Sequence, residues 1–178
     1  MKMKKKQIVD TIIAIILILT GSLLLVLPNF DFFQIKWLFS GVMITYAIMN
    51  LIKFIITKEA KDYEGLFTSL VSLIIGVVSF VYKLYETPMN LAVSLFIWIA
   101  FMSLIKLKKA DYYHDRNNFM WLPRLILMIL FIVIGLLTSI NLYYNEEIQT
   151  IILGYFFFIN GILDLMDPIM NHLIRGKI

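Results

Sequence analysis

Asp164 and Asp167 stand three residues apart in an otherwise apolar stretch, so a helix there carries both carboxylates on one face. Asp10 and Arg124 stand where two other apolar stretches begin. Ionisable groups in apolar surroundings are costly to desolvate, and each has a functional reading by default. One reading makes Asp10, Arg124, Asp164 and Asp167 a proton- or cation-binding cluster. The other makes them an ion-paired network near the membrane surface that sets helix register. All four lie toward the ends of their stretches rather than in the middle, which favours the second reading.

The remaining reactive side chains offer less. His114 and His172 fall in polar segments without a His-x-x-x-His pair or a carboxylate box, so no metal site is expected. Sensing of internal acid by either histidine is the lesser reading beside plain solvation. Asp31, Glu86, Glu146 and Glu147 fall on the other side and are the groups that external acid would titrate. Cysteine is absent, which removes thiolate nucleophiles, disulfides and Cys-based metal sites. The serines have no histidine at a readable spacing, and no Gly-rich phosphate loop occurs. No catalytic residue, cofactor or metal is assigned, and no enzyme activity is expected.

The elements that position these groups follow from composition. Of 178 residues, 61% are hydrophobic and 16% charged, against about 45–50% and about 25% in an ordinary soluble domain. So short a chain has too little interior to hide that much apolar surface, and an integral membrane protein is the class that remains. The net charge of +4 then reflects topology signals and headgroup contacts rather than nucleic-acid binding, because no basic stripe carries interleaved aromatics.

A membrane-crossing helix needs about 20 mostly apolar residues. Charge-free runs predict six: Thr11–Phe30, Trp37–Ile52 (reaching Thr57 if Lys53 snorkels), Gly65–Tyr82, Thr87–Ile105, Leu125–Asn145, and Ile148–Leu163 continuing toward Ile169. The expected fold is an all-α integral membrane bundle in a single transmembrane domain. Pro28 follows the first span, Thr87-Pro88 reads as an N-cap with Pro at the first helical position, and Pro123 opens the fifth span. Pro168 is expected to end or bend the sixth near Asp167. Trp37, Trp121, Tyr82, Tyr85, Tyr143 and Tyr144 suit an interfacial belt, whereas Trp98 falls in mid-span.

Of the 16 Lys and Arg, only Lys36 and Lys83 lie on one side of these spans. The positive-inside rule therefore places both termini, and the loops near Lys58 and Lys108, in the cytoplasm of a cell-membrane protein. The first span is too long for a signal peptide and has no small-residue cleavage site, so it reads as a retained anchor. Lys106–Met120 is the one sizeable polar segment and is expected to contact anionic headgroups.

The spans also repeat. Gly21, Gly76 and Gly135 centre the odd ones; Ala47, Ala100 and Gly161 hold matching places in the even ones, each followed three residues later by Asn50, Ser103 or Asp164. The chain thus reads as three pseudo-repeated helical hairpins, at about 8–57, 65–106 and 121–170. Between helices in lipid, small residues allow close backbone approach, so Gly21, Gly41, Ser72, Gly76, Gly135, Gly154 and Gly161 are packing candidates. Asn50 and Ser103 are expected to hydrogen-bond between helices.

From Ile8 to about Ile169 this pattern resembles the HdeD-like membrane proteins, short bacterial proteins of repeated hairpins linked by name to acid resistance. The likeness rests on the three Gly-centred first helices, the small-xx-polar second helices and Pro28. The middle repeat departs from it, with Ser94 and Ala100 where the outer repeats have Gly41 or Gly154 and Gly161. The resemblance implies a non-enzymatic role in acid or envelope stress tolerance and supplies no catalytic residues. The alternative is a small-molecule carrier or the substrate-binding membrane subunit of a transporter. Expected partners are the lipid bilayer and, without a choice between them, a second copy or another membrane protein.

Overall fold

The computed structural model describes residues 5–27, 32–57, 63–81, 88–115, 119–144 and 148–175, and the side chains of most of them. Expectations placed on Pro28, Asp31, Tyr82, Tyr85, Glu86, Thr87, Glu146, Glu147 and the side chain of His172 lie outside the described residues.

The described residues form α1 (Lys5–Val26), α2 (Phe32–Thr57), α3 (Glu64–Val81), α4 (Pro88–His114), α5 (Trp121–Tyr144) and α6 (Gln149–Arg175). Each holds an apolar stretch of 18 to 26 residues, long enough to cross a hydrocarbon core. Only 33% to 44% of each stretch is buried inside the bundle. The rest turns Ile, Leu, Val and Phe outward on every helix, among them Leu19, Ile55, Ile74, Leu104, Leu137 and Ile162. A surface so continuously apolar is incompatible with water and suited to acyl chains. The chain is a multi-pass, all-helical membrane protein.

Successive helices are neighbours, and α6 closes on α1 to complete a ring. The closest pairs are α6·α1, α2·α3 and α4·α5, so the tight contacts join one expected hairpin to the next rather than the two helices within it. Small residues explain this. The buried face of α3 consists of Gly65, Thr68, Ser69, Ser72, Gly76 and Ser79, which brings its axis close to α2. A Cβ on Gly76 would stand 2.8 Å from Ile44 Cγ1 and 3.2 Å from its backbone nitrogen. At the ring closure a Cβ on Gly21 would overlap the Phe158 backbone nitrogen and stand 2.7 Å from the Gly154 carbonyl oxygen. Gly161 faces Ile18 and Ala14 in the same seam, and Gly135 receives the Ile99 side chain of α4.

Gly21, Gly76 and Gly135 occupy equivalent places. Residues seven and four before each, and three after, are also buried: Ala14, Leu17 and Leu24; Ser69, Ser72 and Ser79; Met128, Phe131 and Thr138. The even helices do not follow as expected. Ala47 and Gly161 are buried, but Ala100 is exposed and Ile99 takes the inward place, because one residue turns a helix by about 100°. Gly41 is likewise exposed, with nothing among the described residues within 4 Å of where its Cβ would be, so it is no packing contact there.

Other local expectations also shift. α4 continues past Ile105 to His114, so most of the Lys106–Met120 segment is helix rather than loop. α5 begins at Trp121, two residues before Pro123, and α6 runs through Pro168 to Arg175. A proline there removes one backbone donor without breaking a helix that neighbours hold. Asn50 donates to the Tyr46 carbonyl oxygen at 2.8 Å and Ser103 to that of Ile99 at 2.7 Å, each within its own helix.

Trp98 is the hub of the interior. Its ring meets Tyr46, Phe131 and Phe156 edge to face, each with centroids 5.9 Å apart, and its indole N–H donates to Ser72 Oγ at 2.9 Å. Phe39 and Phe157 extend the layer. The indole is buried because a serine on the close-packed α3 satisfies its one donor.

Candidate functional site

Below the aromatic layer, one end of the bundle is charged. Odd helices begin toward this end and even helices run toward it, so the first two turns of α1, α3 and α5 meet the C-terminal halves of α2, α4 and α6. Asp10, Glu64 and Arg124 come from the odd helices; Lys53, Lys106, Lys109, Asp164 and Asp167 come from the even ones. Four carboxylates face four cations, and the set is neutral. Their side chains in the ion pairs are at most 22% exposed.

The geometry is set by helical spacing. Lys106 and Lys109 on α4 are three apart, as are Asp164 and Asp167 on α6, and the two helices run the same way. The result is a ladder of two rungs, Lys106 Nζ to Asp164 Oδ1 at 2.7 Å and Lys109 Nζ to Asp167 Oδ2 at 2.6 Å. Lys109 also reaches Glu64 Oε1 of α3 at 2.8 Å. Arg124 Nε of α5 donates to Asp167 Oδ1 at 2.9 Å, with its guanidinium 3.6 Å above the Tyr113 ring. Lys53 Nζ meets Asp10 Oδ1 at 2.6 Å, joining α2 to α1. The Tyr46 hydroxyl donates to Asp164 Oδ2 at 3.3 Å, so α2 reaches α6 as well as α1. Each of the six helices contributes at least one of these bonds.

The small residues and the charges divide the work of holding the ring. Glycines and serines join α6·α1, α2·α3 and α4·α5. The ion pairs Lys53–Asp10, Lys109–Glu64 and Arg124–Asp167 span the three looser seams α1·α2, α3·α4 and α5·α6. A membrane interior supplies no hydrophobic force between helices, so seams without small residues depend on such polar contacts.

The charges line a cavity of about 70 Å³, floored on the bundle side by apolar residues including Ile13, Met102 and Met128. That is room for roughly five water molecules, taking about 10–15 Å³ for each. Among the described residues no group of three or more His, Cys, Asp and Glu is placed to hold a metal ion.

All four residues singled out from the sequence lie in this network, but they pair with partners the sequence did not announce. Lys53 turns inward to Asp10 rather than snorkelling outward, and Lys106 and Lys109 face carboxylates rather than headgroups. Only their neighbour Lys108 is exposed. Glu64 and Tyr46 were not foreseen. One signal was present: the three-residue spacing of the lysines on α4 mirrors that of the aspartates on α6. His114 lies apart, exposed and edge-on to Trp121 at 5.1 Å. The chain matches no family model, no curated protein and no solved structure; what the site can do follows from its own residues.

Proposed function

We propose that this chain is a non-enzymatic protein of the cell membrane, similar to the HdeD group, with both termini in the cytoplasm, and that it contributes to tolerance of acid or other envelope stress. The observation that carries the reading is the neutral network of four carboxylates and four cations that clamps the three looser seams at one end. The charges compensate one another across these seams, so removing one side of a pair leaves a buried charge unbalanced between two helices. The aromatic layer around Trp98 also favours a structural role, since it fills the centre of the ring.

Deletion of the gene in its native host is expected to lower survival of acid or envelope stress by about tenfold or more, equivalent to about 1.4 kcal/mol in any equilibrium that governs it. Restoring the intact chain is expected to recover survival; unchanged survival across these stresses rejects the role. Because the chain has no cysteine, Lys108→Cys and Lys83→Cys each carry a single thiol. A membrane-impermeant thiol reagent applied to intact cells should label the second and spare the first.

A second reading, a small-molecule carrier, has one observation in its favour. Asn160 lies midway along the apolar stretch of α6, buried, with neither amide atom hydrogen-bonded. Carriers place polar groups at that depth. On the structural reading Asn160→Leu, which keeps the branching at Cγ, stabilises the protein by about 1–3 kcal/mol by removing an orphaned polar group. The melting temperature in detergent measures this. Destabilisation by Asn160→Leu, with loss of stress tolerance, favours the carrier instead.

A further inference from the structure

Thr68 of α3 is 3% exposed, yet its hydroxyl is hydrogen-bonded to no described residue. Asn50 of α2 is 4% exposed; its amide nitrogen donates to the Tyr46 carbonyl oxygen, and its Oδ1 has no partner among the described residues. Both side chains line the charged cavity of about 70 Å³. They stand close together. A Cβ on Gly65 would be 2.9 Å from the Asn50 carbonyl oxygen, and Thr68 lies three residues, about one turn, further along the same buried face of α3.

A buried polar atom left unbonded is costly, so these two side chains call for a partner. The charges of the cavity are engaged with one another: Lys109 bonds two carboxylates, and Asp167 accepts from two cations. What remains unused is neutral, a hydroxyl that both gives and accepts and a carbonyl that accepts. Water suits that pair of groups, since it gives and accepts and is held by two to four polar partners. Size alone does not decide this. A second cavity, of about 90 Å³ between α1 and α2, is lined mainly by Ile13, Ile16, Leu17, Val42 and Met49, and Thr20 there donates to the Ile16 carbonyl oxygen at 2.8 Å. An apolar lining of that kind gives water too few partners.

We propose that the cavity at the charged end is a binding site for a small cluster of water, seated on Thr68 and Asn50 and bonded outward to the ion pairs. The cluster returns part of the hydration that the charges give up between apolar helices, and so lets ionised groups persist within the spans. It also gives Thr68 and Asn50 a task that packing alone does not require, because Gly65 and Ser69 on the same face of α3 already allow close approach. Ile13, Met102 and Met128 floor the cavity, and the aromatic layer around Trp98 follows, so the water goes no further into the bundle. This site is independent of any part the chain plays in stress tolerance.

Water-edited solid-state NMR of the full chain in liposomes tests this, by timing the passage of proton magnetisation from water to side-chain nitrogens. Asn50 Nδ2 is expected to receive it about tenfold faster than Trp98 Nε1, whose proton is held by Ser72 Oγ at 2.9 Å in the dry interior. Thr68→Val keeps the shape of the side chain and removes its hydroxyl, and should roughly halve the transfer to Asn50 by taking away one of the water's few partners. Thr68→Ser, which keeps the hydroxyl, should leave it unchanged. Helicity and elution volume confirm that each variant is folded; if Thr68→Val is not, the ratio of Asn50 to Trp98 in the intact chain decides. Replacing every metal cation in the buffer with choline should have no effect. Transfer to Asn50 as slow as to Trp98 overturns the proposal, as does full transfer in folded Thr68→Val. A fall on exchange into choline also overturns it, because the place would then belong to a metal cation.

Discussion

Lys109→Leu lowers the stability of the bundle by about 3–5 kcal/mol, the usual result of removing one partner from a buried ion pair. The ammonium group bonds Asp167 at 2.6 Å and Glu64 at 2.8 Å, and so ties α4 to both α6 and α3. Its loss leaves the cavity with four carboxylates against three cations, in a place where water is scarce. Lys108, its exposed neighbour, is the control: Lys108→Leu is expected to change stability by no more than about 0.5 kcal/mol. Adding Glu64→Leu to Lys109→Leu should recover part of the loss, because an apolar pair of similar size replaces an unbalanced charge. Unfolding in mixed micelles at increasing denaturing detergent measures all three. Equal effects of Lys109→Leu and Lys108→Leu would show that the network does not hold the helices together.

Gly21→Ala opens the ring. Its new methyl group overlaps the Phe158 backbone nitrogen and crowds the Gly154 carbonyl oxygen, and neither is the end of a flexible side chain. α1 must move away from α6 along the whole seam, including the Gly161 contact with Ile18 and Ala14. The expected loss is about 1–3 kcal/mol, the range for overpacking a close contact. Gly41→Ala goes the other way. Its Cβ enters open space, and replacing a mid-helix glycine with alanine stabilises by about 0.5–1 kcal/mol. Both substitutions add one methyl group to an apolar helix, so a difference of sign in the same unfolding assay isolates the helix contact. Equal effects would mean that α6 does not close on α1.

The number of helices was legible, because a bilayer demands about 20 apolar residues per crossing and charge interrupts each run; their limits were less so, since α4 continues past Ile105 to His114. Asp10, Arg124, Asp164 and Asp167 were legible for a related reason: a carboxylate or guanidinium near lipid needs an explanation. Lys53, Lys106 and Lys109 were not, since a lysine near the end of a span reads equally well as a cation reaching out to headgroups. Ala100 and Gly41 misled for a different reason. Small residues permit close approach but do not say from which side, and in α4 the inward place one residue earlier went to Ile99.

Composition and charge placement were thus enough to dictate a lipid-embedded set of six helices with its cations gathered at one end, because solvent acts on each helix separately. Which seams are tight, and which way each lysine points, emerged only when the helices met. In water an apolar stripe announces the inner face of a helix. Here lipid-facing and protein-facing sides are both apolar, so a rotation of about 100° per residue decides whether a side chain meets lipid or a carboxylate. That rotation is set by backbone fit at Gly21, Gly76 and Gly135 and by ion pairs between helices remote in the chain.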